Sequence, residues 1–139
     1  FIRKHNANFS KMKSELFSKF KKLIIYFDSC GQGELLGVKD ENGKFVAMSY
    51  FVFDNTTVID FKGAVTKEGK KRGAMVTLHL SALSKFHGSF KFYDFYGANS
   101  SGRAHFNRKF GGHNVIYFQL TRIDYPKPIK YLIRKLWSI

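Results

Sequence analysis

Acidic residues are scarce. The 139-residue chain has 10 Asp plus Glu against 24 Lys plus Arg, a formal charge of +14 before any of its five histidines titrates. Cysteine is nearly absent: Cys30 stands alone, so no internal disulfide can form and nothing calls for an oxidising compartment. Proline is confined to Pro126 and Pro128. Long apolar runs are missing too. The longest, Phe45 to Phe53, is nine residues with Ser49 inside it, against the roughly 20 residues a bilayer-spanning helix needs. No charged-then-apolar signal segment opens the chain, so the expected setting is the cytoplasm. The first residue, Phe1, begins abruptly in a polar, basic segment, as a piece of a longer protein would.

Apolar content of 44% with 16 Phe is ample for one hydrophobic core, which excludes collagen-like and disordered classes. A net charge of this sign concerns partners rather than fold: a nucleic acid, an anionic membrane or a polyphosphate ligand can use it, and a solvated basic face explains it without any ligand.

Phe9, Met12, Leu16, Phe20, Leu23, Ile24 and Phe27 recur at helical spacing with lysines between them, which predicts an amphipathic helix starting near Ser10 and ending before Gly31. The pattern then turns extended. Asn42-Gly43 between apolar runs predicts a hairpin, Thr57 to Thr66 reads as a third strand, and three antiparallel strands in sequence follow. Lys67 to Ala74 is a basic, glycine-containing turn leading into a helix carrying Met75, Leu78, Leu80, Leu83 and Phe86. Ser89 to Tyr96 reads as a strand, Arg103 to Phe110 as a short helix, His113 to Thr121 as a final strand, and residues 129 to 136 as a last helix. One domain, with helices on the faces of a sheet, is expected.

The basic turn is the most informative chemical feature. A helix N-terminus has unpaired N–H groups and a positive dipole end, so an anion fits there. Gly69, Gly73 and Ala74 would let a phosphate approach the backbone, and Lys70, Lys71 and Arg72 would add charge. The spacing matches neither a Walker A loop nor a dinucleotide fingerprint. An ordinary turn with solvated lysines is the competing explanation.

The element order resembles the GNAT superfamily of N-acyltransferases, in which a meander leads to a strand, a pyrophosphate-binding turn and a helix. Lys70-Lys71-Arg72-Gly73-Ala74 stands in the place of that turn. Tyr93-Asp94-Phe95-Tyr96-Gly97 and Phe106-Asn107-Arg108-Lys109-Phe110-Gly111-Gly112 look like the FemAB-like branch, whose members often contain two GNAT-like halves and transfer an amino acid from aminoacyl-tRNA to a peptidoglycan precursor. The resemblance implies an α/β (α+β) fold with a mixed, mostly antiparallel sheet flanked by helices, and raises the expectation that residues 1–139 are the C-terminal half of a longer protein. It also implies a donor, acyl-CoA or aminoacyl-tRNA, bound by Val65, Thr66, Lys70, Lys71, Arg72, Gly73, Ala74 and Asn99, where the sheet splays near residues 64 to 66. The acceptor is an amine.

Two departures bear on mechanism. No tyrosine occurs between Gly97 and Gly112, where many acetyltransferases have a phenol that protonates the leaving thiolate. Asn107 stands where the FemAB-like pattern has Lys, so it can donate a hydrogen bond to a developing oxyanion but brings no charge. An amine nucleophile needs a base, from Glu34, Asp60 or Asp94. Asp60, on the strand before the phosphate turn, is the first choice, with a structural ion pair to a neighbouring lysine as the other explanation. The histidines lack His-x-x-x-His spacing and Cys30 lacks a paired His motif, so neither a metal site nor a cysteine nucleophile is expected. A second reading of the whole is a non-catalytic module that binds tRNA or another polyanion on the same fold; a membrane surface is the weaker partner.

Overall fold

The computed structural model of the protein describes residues 1–6, 10–97, 100–116 and 118. Strands β1 (Gly33–Lys39), β2 (Phe45–Phe53), β3 (Thr57–Val65) and β4 (Phe92–Asp94) form one sheet in that order. The first three are antiparallel and β4 runs parallel to β3. The hairpin between β1 and β2 forms as the Asn-Gly pair predicts: the Asp40 carboxylate accepts from the backbone of Asn42 and Lys44, and Gly43 turns at φ +74°.

Five helices are described: α1 (Ile2–His5), α2 (Ser14–Ser29), α3 (Lys67–Lys71), α4 (Ala74–Phe86) and α5 (Ser101–Arg108). The long first helix begins at Ser14 rather than Ser10, behind Lys13. The basic turn is partly helical: Thr66 Oγ1 accepts from Gly69 N–H and caps α3, and Gly73, at φ +69°, breaks the path before α4 starts. The strand expected from Ser89 shortens to Phe92–Asp94. Residues 113–116 and 118 are not in a strand, and the rest of that expected strand and the final helix lie outside the described residues. Among the described residues no helix is long and apolar enough to cross a membrane.

Successive residues of β2 point to opposite faces of the sheet. Phe51, fully buried, meets Phe86 of α4, and Tyr50 Oη donates 2.6 Å to Asp28 Oδ1 of α2. The core on the α4 side is Ala47, Phe51, Val58, Ala74, Leu78, Ala82 and Phe86. Burying Phe51 or Leu78 contributes about 1.5–3 kcal/mol each. The sheet is thus held between α4 and α2, with helices on both faces.

Candidate active site

Strand β3 carries a β-bulge. Tyr50 pairs with Lys62 and Phe51 with Asp60, so Phe61 is an extra residue without a partner on β2. A bulge changes which side chains face which way. Phe61 joins Phe20 and Phe27 of α2 and the ring of Tyr96, while Asp60 keeps to the face of Phe51 and α4. Pairing between β3 and β4 covers only Thr57–Phe92 to Ile59–Asp94. Beyond Ile59 the two parallel strands diverge, earlier along β3 than the expected splay at 64 to 66.

The gap left by this divergence is a cleft of about 610 Å³. Asp60, Lys62, Val65 and Gly63 of β3 line one wall, Lys70, Gly73, Val76 and His79 another, and Tyr96, Arg103 and Asn107 close the far side. Asn6, next to α1, reaches in and donates 2.8 Å from Nδ2 to the carbonyl of Gly63.

Of the residues read from sequence, the fold brings Asp60, Asn107, Val65, Lys70 and Gly73 to one cleft. Thr66 is spent on capping α3, and Ala74 is buried in the core. The Arg72 guanidinium is held outside the cleft, at 2.8 Å from Glu68 and 3.2 Å from Glu41, and those two carboxylates hold it more firmly protonated. Lys71 does not line the cleft, and Asn99 lies outside the described residues. Gly69 is a correction: instead of giving a phosphate access, it is buried against β2, where a Cβ would lie 2.5 Å from the Val46 carbonyl oxygen. Gly73 does have open space around it. The N–H groups of Val76 and Thr77 return to the Gly73 carbonyl, and Gly73, Met75 and Val76 line the cleft while Ala74 between them is buried. Lys70 beside them makes this end of the cleft positively charged.

Asp60 anchors a polar network below the cleft. Ser49, fully buried on β2, donates through Oγ to Asp60 Oδ1. His79 Nε2 lies 3.7 Å from Asp60 Oδ2, and His79 Nδ1 is 2.9 Å from Tyr93 Oη. When Tyr93 donates to Nδ1, the ring hydrogen sits on Nε2 and faces the carboxylate, the electrostatically favoured tautomer. Burial pushes the Asp60 carboxyl up to about 6, against the Ser49 hydroxyl and the charges of Arg103 and Lys62, which favour ionisation; the charge of Asp94 adds to the rise. Burial pulls His79 down to about 4, because its ring is packed among Tyr93, Phe95, Phe106 and Phe110. His79 is therefore neutral near pH 7, and its contact with Asp60 is not an ion pair.

The other candidate bases are committed elsewhere. Glu34 pairs with Lys85 at 2.9 Å, and Asp94 Oδ1 accepts from Tyr96 N–H, orienting the loop that follows β4. Sequence reasoning missed Ser49, His79, Tyr93, Lys62 and Arg103, which reach Asp60 or the cleft from three strands and two helices. Only the Asp-Phe-Lys run on β3 hinted at Lys62.

No protein-family model matches this sequence, and no curated protein matches it. Solved structures do. An aminoglycoside antibiotic 6'-N-acetyltransferase of Acinetobacter baumannii superposes with a TM-score of 0.56 at 13% identity, covering 81% of this chain and 84% of its own. A second, from Acinetobacter haemolyticus, gives 0.53 at 14% identity, with 83% and 88% covered. The fold is that of the GNAT acyltransferases. At this level of identity the likeness carries the GNAT architecture and not a substrate. A mixed α+β sheet flanked by helices, expected from the element order, is what the structure has.

Proposed function

We propose that the chain is an acyltransferase that moves an acyl group from a phosphate-rich donor to an amine. The observation that carries this reading is the divergence of β3 and β4 into a cleft, with a partly desolvated carboxylate on its wall and Lys70 and Gly73 beside the start of α4. The donor lies along the open edge of β3 with its phosphates at Lys70, Gly73 and the first turn of α4. Acyl-CoA is the donor the GNAT fold favours; aminoacyl-tRNA rests on the FemAB-like motifs alone.

Asp60 takes the proton from the acceptor amine. With its carboxyl near 6, it is mostly ionised at pH 7 yet more basic than an exposed aspartate, the poise a general base requires. Ser49 fixes the orientation of one carboxylate oxygen and leaves the other toward His79 and the cleft. When bound, the donor supplies an acyl carbon activated by a thioester or ester. The amine nitrogen forms the new C–N bond, the C–S or C–O bond breaks with its electron pair, and solvent protonates the leaving atom. Asn107, on the cleft wall, donates a hydrogen bond to the carbonyl oxygen as charge develops there.

Calorimetric titration at low salt with CoA and with tRNA tests the donor. Saturable binding of CoA with little salt dependence supports the reading. Binding of tRNA alone, weakening steeply with salt, supports instead a polyanion-binding module, for which the +14 charge speaks. Binding of neither removes the transferase reading.

A further inference from the structure

The charge of the cleft restricts the acceptor. Among the described residues lining it, Lys62, Lys70 and Arg103 are cationic and Asp60 is the single carboxylate. Lys70 belongs to the phosphate end, beside Gly73. The other end holds Lys62 and Arg103 around Asp60. Asp94 lies nearby, but its carboxylate is turned back on Tyr96 N–H.

We propose that the acceptor is an amine that carries its own anionic group, a carboxylate or phosphate, held by Lys62 and Arg103 while the amine faces Asp60. An acceptor amine arrives mostly as a cation, so a wall with two positive charges and one negative repels a polycation and favours a molecule with a compensating negative charge. Arg103 sits on the first turn of α5, with its guanidinium 3.7 Å from where a Cβ on Gly97 would lie, so it faces the cleft across the loop after β4. A guanidinium meets carboxylate or phosphate oxygens in two parallel hydrogen bonds. Lys62 is held below its ordinary basicity by burial and by the charge of Arg103, with Asp60 pulling the other way; the charge of a bound anion offsets the repulsion between Lys62 and Arg103.

This inference rests on the transferase reading for the word acceptor, but binding can be measured without donor. The probes are glycylglycine and O-phosphoethanolamine as anionic amines, glycylglycinamide as the amide without the carboxylate, and spermidine as a polycation. Each is titrated into the whole chain and followed by backbone amide shifts of residues around the cleft. At least one anionic probe is expected to bind tenfold or more tighter than glycylglycinamide, with shifts at Lys62 and Arg103, and spermidine is expected not to bind the cleft. R103Q and K62Q should each weaken the anionic probe at least fivefold, with the spectrum otherwise that of a folded protein. Equal binding of the amide, binding of spermidine in the cleft, or anionic binding untouched by R103Q overturns the proposal. If the anionic probe binds as expected and no acyl transfer to it occurs, the anion subsite stands and the transferase reading falls.

Discussion

Asp60 and His79 lie 3.7 Å apart and shift in opposite directions, to about 6 and about 4. In the unfolded chain the carboxyl ionises near 3.9 and the imidazole near 6.5. Between pH 4 and 6 the unfolded pair therefore holds its one proton on His79, and the folded pair holds it on Asp60. Folding moves the proton without changing the number bound, so the pair contributes no slope to stability in this window. Each partner alone contributes one. A raised carboxyl binds protons better folded than unfolded, so its contribution falls as pH rises from 4 to 6. A depressed imidazole binds them better unfolded, so its contribution rises from 4 to 6.5. D60N should leave the rising slope and H79Q the falling one, each about 3 kcal/mol across the window. Urea unfolding at several pH values reads both slopes; two variants with the same sign of slope would contradict the proton placement. Asp60 was legible in the sequence as an acid on the strand before the turn. Its partners were not, since Ser49 is 11 residues away and His79 and Tyr93 meet it only through packing of α4 and β4 against β3.

The segment from Thr66 to Ala74 shows how one composition can serve two purposes. Glycines beside lysines fit a phosphate loop, and they also fit a tight helix against a strand. Gly69 does the second and Gly73 leaves room for the first, a distinction that depends on the Val46 carbonyl and is not encoded locally. G69A must push α3 off β2 and is expected to cost about 1–3 kcal/mol, the range for forced overpacking, measured as a lower urea midpoint. The lysines divide in the same way. Lys70 lines the cleft and Arg72 is tied to Glu68 and Glu41, so K70Q should weaken CoA binding by about tenfold, the 1.4 kcal/mol typical of one charge-assisted contact, and R72Q should not change it. Calorimetry on both variants checks this; a loss confined to R72Q would move the phosphate site elsewhere. The order of β1 to β4, α2, α4 and α5 was readable because hydrophobic period and turn residues are local. The bulge at Phe61 was not, because an extra residue in an apolar strand disturbs no pattern that a sequence displays.

At the scale of the whole molecule, the +14 charge separates into parts. Lys19 pairs with Glu15 along α2 at 2.9 Å, on an exposed face where such a pair contributes little. Lys62, Lys70 and Arg103 concentrate positive charge in a cleft whose walls are otherwise largely apolar, where field and desolvation make it count. The same cleft joins elements that were readable one by one: in the proposed reaction β3 supplies the Asp60 carboxylate, the start of α4 receives the donor phosphates, and α5 supplies Asn107 as oxyanion donor and the Arg103 guanidinium. Single-turnover acyl transfer, followed by mass spectrometry of the amide product with acetyl-CoA and an anionic amine, tests this joint assignment most directly. The account predicts a rate that rises as pH passes through about 6, the pH at which Asp60 ionises, and a fall of roughly 10²–10⁴-fold in D60N with CoA binding retained. Product formation at the same rate in D60N and the unaltered chain would contradict it.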